Sequence, residues 1–157
     1  MDLIGKTTIN PILFYSGKIL GYITWIVLLL SILNINLIDR ISYGFNDSIS
    51  YLILLIGLIF VVFSLINLGR STRLGLPAEN TVFKTKGFYK ISRNPMYLGF
   101  DFLTISSMIY TLNILIIIIG IYSIIIYHLI IIGEERFLES RFGQEYISYK
   151  NMIRRYL

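Results

Sequence analysis

The sequence predicts an all-α integral membrane protein of about four transmembrane helices, with a tight C-terminal helical hairpin and both termini cytoplasmic. Three observations carry that prediction. Of 157 residues, 55% are hydrophobic and only 15% are charged, against about 25% charged in an ordinary soluble domain. The mean hydropathy is +0.73. The apolar residues also gather into four runs, and 14 basic plus 9 acidic residues cannot supply a wet surface for a soluble domain of this length.

Each run can be justified in order. Ile19–Ile38 covers 20 residues, Tyr51–Leu68 covers 18 and the isoleucine-rich Asn113–Gly133 covers 21. At about 1.5 Å per residue, a 20-residue helix spans roughly 30 Å, the thickness of a bilayer core. The remaining run is short and contains Asp101. Asn94 suits an N-cap and Pro95 a first helical turn, so this helix is expected over 95–111. At roughly 25 Å it crosses if the bilayer thins, and a re-entrant segment is the alternative. Thr111-Leu112-Asn113 leaves almost no loop before the last span, hence the hairpin. Gly57 with Ser64, and Gly120 with Ser123, are small residues suited to helix–helix seams. The whole chain, 1–157, reads as one domain, with a cytoplasmic loop over 69–94 and a cytoplasmic tail over 134–157.

The basic residues orient the bundle. Lys6 and Lys18 precede the first span; Arg70, Arg73, Lys84, Lys86, Lys90 and Arg93 lie between the second and third. Arg136, Arg141, Lys150, Arg154 and Arg155 follow the fourth, so only Arg40 falls on the other side. Thirteen of 14 basic residues thus mark one side as cytoplasmic. The net charge of +5 then reflects anionic lipid rather than a nucleic-acid partner. The chain has no cysteine and one histidine, which excludes thiol chemistry and leaves no basis for a metal site.

Polar chemistry is concentrated on the cytoplasmic side. Arg93, Asn94 and Tyr97 lie within a turn of a helix N-terminus, where free N–H groups and a partial positive charge suit a carboxylate or phosphate. Equally, Arg93 anchors a span in the headgroups and Asn94 merely caps it. Glu134 and Glu135 follow the last span, at the unfavourable end of its dipole. They need cationic partners, or a ligand amine, ribose or cation. Tyr127 is seven residues before Glu134 and His128 seven before Glu135, so each pair shares a helix face and could line one cavity. A lone histidine in a span is also an ordinary packed hydrogen-bond partner. Asp101 is about 9 Å inside the third helix and must face the bundle or water, with no partner legible. The tail, Phe142 to Tyr156, alternates aromatic and polar residues, as an interfacial anchor or a pocket cover would.

The ordered motif Thr85-x-Gly87-x-Tyr89-x-x-x-Arg93-Asn94-Pro95-Met96-Tyr97-x-Gly99 is followed, after a hydrophobic hairpin, by Glu134-Glu135-x-x-Leu138-x-x-x-Phe142-Gly143-x-x-Tyr146-x-x-Tyr149. This combination resembles the isoprenylcysteine carboxyl methyltransferase and phospholipid methyltransferase superfamily, over roughly Ser64 to Tyr156. The resemblance implies a membrane enzyme using S-adenosyl-L-methionine at its cytoplasmic face. Carried over position by position, it implies Arg93, Asn94, Pro95 and Tyr97 near the methionine part of the cofactor and Glu134 and Glu135 near its polar atoms. The Lys86, Gly87, Tyr89 segment would close the pocket, and His128 would line it more deeply. Arg93 and Glu134 are the candidate catalytic residues: Arg93 to orient a carboxylate, Glu134 to help deprotonate an amine acceptor. The family's usual histidine is Asn94 here, which keeps hydrogen bonding but loses a titratable role.

The implied reaction is methyl transfer to a lipophilic acceptor entering from the bilayer, foremost the carboxylate of an isoprenylcysteine-like or other lipid. A phospholipid or lipid-amine N-methyltransferase is the alternative within the fold. Membrane sterol or enone reductases share part of the motif and would use NADPH. A non-enzymatic small membrane subunit is the remaining reading.

Overall fold

The computed structural model describes residues 7–69, 83 and 85–157. Lys6, Arg70, Arg73, Lys84 and most of the expected 69–94 loop lie outside the described residues. Helix α1 runs Pro11–Ile32, α2 Phe45–Leu68, α3 Pro95–Thr111, α4 Ile114–Phe142 and α5 Gln144–Met152, with a short 3-10 turn at Gly87–Lys90.

Local signals set these ends, and four of them differ from the apolar runs. α1 begins eight residues before Ile19, because Asn10 accepts a hydrogen bond from the Ile12 N–H at 2.9 Å and Pro11 occupies the first turn. It stops at Ile32 although the apolar run continues to Ile38. Asn34 takes a left-handed φ of 62°, and the N–H groups of Asn34 and Ile35 close back onto the carbonyls of Ser31 and Leu30. That is a Schellman end with asparagine in the position glycine usually fills. α2 starts six residues before Tyr51, where Asn46 accepts from the Tyr43 N–H and Asp47 pairs with Arg40 at 2.5 Å. The span expected to end at Gly133 belongs to a helix that continues nine residues further, through both glutamates, to Gly143 at φ +50°.

α3 keeps the expected bounds. Its link to α4 is Leu112 and Asn113, with the Asn113 side chain capping the Leu115 N–H at 3.0 Å. Asn94 holds the cap position of α3, but its side chain makes no capping bond; it is directed to Glu135 instead.

α1, α2 and α4 are long and apolar enough to cross a membrane, so the protein is an all-α integral membrane protein. α2 leaves Leu52, Leu55, Leu58, Val62 and Ile66 exposed, as expected of a face that meets lipid. α3, 17 residues long, packs against α1, α2 and α4. The helices meet through small residues and hydroxyls. Ser123 Oγ donates to the Gly17 carbonyl at 2.8 Å and Ser107 Oγ to the Thr24 carbonyl at 2.7 Å. Ser50 and Ser106 bridge α2 and α3 at 2.9 Å. Gly120 lies against Met108 and Thr104. The core at the α1–α3–α4 junction is Phe14, Tyr97, Ile126, Tyr127, Ile130 and Ile131.

The backbones of α2 and α3 approach closely. A Cβ on Gly99 would lie 2.9 Å from the Gly57 carbonyl oxygen and from the Val61 nitrogen. Those are backbone atoms and cannot rotate away. Gly99→Val is therefore expected to destabilise the protein by about 1–3 kcal/mol, the usual cost of overpacking. A lowered thermal unfolding midpoint in detergent is the readout; an unchanged midpoint would remove this contact as a constraint.

Candidate functional site

The start of α1, the end of α2, the start of α3 and the Glu134 region of α4 lie at one end of the bundle, with the tail beside them. Adjacent residues on a helix point about 100° apart, so Glu134 and Glu135 serve different neighbours.

Glu135 is 4% exposed and accepts from three side chains. Arg93 donates Nε to Oε1 at 3.0 Å and Nη2 to Oε2 at 3.2 Å, in a two-pronged pair. Arg155 donates Nε and Nη2 to Oε2 at 3.0 and 2.9 Å. Asn94 Nδ2 donates to Oε1 at 2.9 Å. Arg93, its side chain 8% exposed, also donates Nη1 to the carbonyls of Lys150 and Ile153 at 3.0 and 2.8 Å. The tail's backbone joins in: Arg93 N–H donates to the Arg154 carbonyl at 2.9 Å, and Ser92 Oγ to the Arg155 carbonyl at 3.0 Å. One carboxylate thus clamps the tail to the start of α3. The bonds to Glu135 raise the Arg155 pKa above its ordinary value.

Glu134 faces the bundle. Its Oε1 accepts from the Tyr97 hydroxyl at 2.7 Å, and among the described residues no hydrogen bond reaches Oε2. The Lys18 ammonium feels the Glu134 charge and lies over the Phe14 ring at 4.3 Å. Lys18 is buried, yet among the described residues it forms no ion pair. Tyr89 borders the same place: burial, Tyr149 and Glu134 together push its phenol up.

The remaining expected residues are placed as follows. Pro95 is buried at the first turn of α3. Gly87 has φ +63°, and a Cβ there would collide with the Asn67 side chain at the end of α2. Phe88 stacks on Phe63 with ring centres 5.3 Å apart, which fixes the Lys86–Tyr89 segment over α2, with Lys86 exposed. Tyr149 donates to the Tyr89 carbonyl at 2.6 Å, and burial pushes the Tyr149 phenol up to about 12. His128 lies apart from the two glutamates. Its Nδ1 is 2.5 Å from the Tyr156 hydroxyl, and both line a crevice between α3 and α4 of about 460 Å³ that also holds Asp101.

Comparison with known families matches residues 46–145 to the phospholipid methyltransferase family. The chain belongs to that family. No curated protein matches it in a sequence search. The match runs from the first turn of α2 through both glutamates to the start of α5, so a methyltransferase domain includes the whole α3–α4 unit.

Three residues of this region were not singled out by the sequence. Lys18 precedes the first apolar run and was counted only as a flanking charge. Arg155 and Tyr156 read as an interfacial anchor. Their contacts reach 20 and 28 residues back to α4, and no helical spacing signals such pairs. Among the described residues there is no cluster of three or more potential metal ligands.

Removing one member of a buried ion pair leaves the other charge uncompensated, at a cost of about 3–5 kcal/mol. Glu135→Ala is expected to lower the melting temperature strongly and to expose the tail to protease. Arg155→Ala, at a site 34% exposed, is expected to do much less. Equal effects of the two substitutions would contradict the clamp.

Proposed function

We propose that this family member is a membrane methyltransferase that uses S-adenosyl-L-methionine at the cytoplasmic end of the bundle and methylates a lipophilic acceptor held in the bilayer. The proposal includes four crossings, with α3 and α4 as a transmembrane hairpin. The observation that carries it is that Glu134, inside the matched family segment, and Lys18 of α1, which precedes that segment, bring opposite charges to one place at the end of the bundle. Among the described residues, Glu134 Oε2 has no hydrogen-bond partner and the buried Lys18 ammonium forms no ion pair. The donor set fits S-adenosyl-L-methionine, which carries an amine, a carboxylate and a ribose.

In this proposal Glu134 holds the ligand's amine and Lys18 its carboxylate. Tyr97 orients Glu134 through the 2.7 Å bond. Pro95 and Asn94 fix the start of α3, and Tyr89 and the Lys86–Gly87 turn cover the pocket. When bound, the cofactor supplies an electrophilic methyl group on sulfonium. The protein's contribution is to hold donor and acceptor in line and to exclude water. Arg93 acts through Glu135 and the tail carbonyls, so it is a positioning residue that keeps the tail over the site. Glu135 positions Arg93 and Asn94. A carboxylate acceptor arrives ionised and needs no base. An amine acceptor needs one. The motif resemblance favours an isoprenylcysteine-type carboxylate; the phospholipid methyltransferase match supports a lipid amine as the second reading.

Two measurements test the proposal. Titration of S-adenosyl-L-methionine into the protein in nanodiscs is expected to show binding, weakened about tenfold or more in Glu134→Gln, the scale of one charge-assisted hydrogen bond. No binding to the wild type would overturn the proposal. Because the chain has no cysteine, Ser48→Cys and Ser148→Cys report orientation directly. An impermeant maleimide applied to intact cells is expected to label position 48 and spare position 148; the reverse pattern would invert the topology.

A further inference from the structure

Outside the Glu134 pocket, two stretches of chain run side by side at the same end of the bundle. Tyr149 donates to the Tyr89 carbonyl at 2.6 Å, Ser92 Oγ to the Arg155 carbonyl at 3.0 Å and the Arg93 N–H to the Arg154 carbonyl at 2.9 Å. These bonds set Lys90 and Ile91 alongside Met152 and Arg154. Lys90 and Arg154 are exposed, and among the described residues neither forms an ion pair. Ile91 is 52% exposed and Met152 74%. The acidic residues of this end are engaged or remote. Glu135 is held by the clamp, Glu139 pairs with Lys150 at 2.8 Å, and Glu145 lies in the first turn of α5, about 10 Å along the helix from Met152.

The tail also turns back toward the apolar part of the bundle. Arg155 meets Glu135, where the apolar run of α4 has just ended, and Tyr156 meets His128, about 9 Å deeper along that helix. The corner formed by residues 90–91 and 152–154 therefore stands where a bilayer's headgroups meet its acyl chains. Exposed apolar side chains interleaved with cations at that depth have the chemistry of a headgroup contact.

We infer that this corner is a docking surface for anionic phospholipids of the leaflet at the clamp end of the bundle. Lys90 and Arg154 take the acidic headgroups, and Ile91 and Met152 enter the acyl boundary. Charge complementarity selects an anionic headgroup over a zwitterionic one, by about fivefold for each basic residue near such a surface. Ser92 and Arg93 hold the same stretch of tail backbone to the start of α3, so lipid bound here fastens the clamp to the membrane surface. Lipid binding at this corner needs no cofactor and is independent of what the Glu134 pocket holds.

The test uses the full chain in nanodiscs of phosphatidylcholine with phosphatidylglycerol. Asn151→Cys, the single cysteine in a chain that has none, carries a bimane fluorophore beside Met152. Either the phosphatidylglycerol or the phosphatidylcholine bears a doxyl quencher near the top of its acyl chain, at equal mole fraction. Quenching is expected to show phosphatidylglycerol enriched at position 151 about fivefold or more over phosphatidylcholine. Lys90→Gln combined with Arg154→Gln is expected to abolish that preference, because the glutamines remove both charges and leave the backbone bonds in place. Equal quenching by the two lipids around the unsubstituted corner would overturn the inference, whether or not the double variant folds. So would an undiminished preference in the double variant. Quenching by neither lipid would place the corner off the membrane and overturn it as well.

Discussion

The arrangement at the site depends on one buried carboxylate. Glu135 is almost inaccessible and sits where an apolar helix meets the polar end of the bundle. An isolated charge there would cost several kcal/mol after relaxation. The chain meets that demand with two guanidinium groups and an amide drawn from remote positions, and each of these brings a piece of backbone. Arg93 carries the start of α3. Arg155 carries the end of the tail, already fixed by backbone bonds to Ser92 and Arg93. The same demand accounts for the missing side-chain cap on α3: Asn94 turns its amide to Glu135 at 2.9 Å rather than folding back on its own helix.

Division of labour between those glutamates follows from helix geometry. A step of about 100° separates them, so a carboxylate saturated by protein donors can stand beside one that is not. Glu135 has every lone-pair direction contested by Arg93, Arg155 and Asn94. Glu134 has one oxygen on Tyr97 and, among the described residues, no hydrogen bond on the other. A fixed structural charge next to an available one makes a preorganised site: the clamp sets where α3, α4 and the tail sit, and the pocket inherits that precision without using its own charge for cohesion.

Much of this was legible in the sequence, and the losses have physical causes. α3 was readable to the residue because Asn94-Pro95 and the Leu112–Asn113 break are strong local punctuation. α1 was displaced because hydropathy measures what a membrane tolerates, not where hydrogen bonding starts. Asn10-Pro11 began the helix inside polar sequence and Asn34 ended it inside apolar sequence. α4 was shortened for the converse reason: charged residues end an apolar run but do not end a helix. In the candidate site, the clustering of Arg93, Asn94, Tyr97 and the two glutamates followed from the motif and the short link between α3 and α4. The partners did not. Glu135 with Arg155 and His128 with Tyr156 depend on how the tail folds back, and Lys18 on how α1 packs; helix periodicity carries neither. The expectation that His128 shares a cavity with Glu135 illustrates the limit. Both do lie on one stripe of α4 and both meet the tail, but through neighbouring tail residues, so the stripe opens into a clamp at one end and a crevice at the other.

Asn94 can be understood in the same terms. The Asn94 side chain donates to Glu135 Oε1 at 2.9 Å and to the Arg155 carbonyl at 3.4 Å. Both roles need an N–H donor, and neither needs a proton to be gained or lost. An imidazole in this position could donate to the carboxylate too, but its charge would vary near neutral pH. An amide cannot titrate. With Asn94, the side-chain bonds that gather α3, α4 and the tail on Glu135 come from two guanidinium groups and one amide. An amide at position 94 therefore holds the clamp with no pH-sensitive element of its own, and separates the saturated carboxylate of Glu135 from the less engaged one of Glu134.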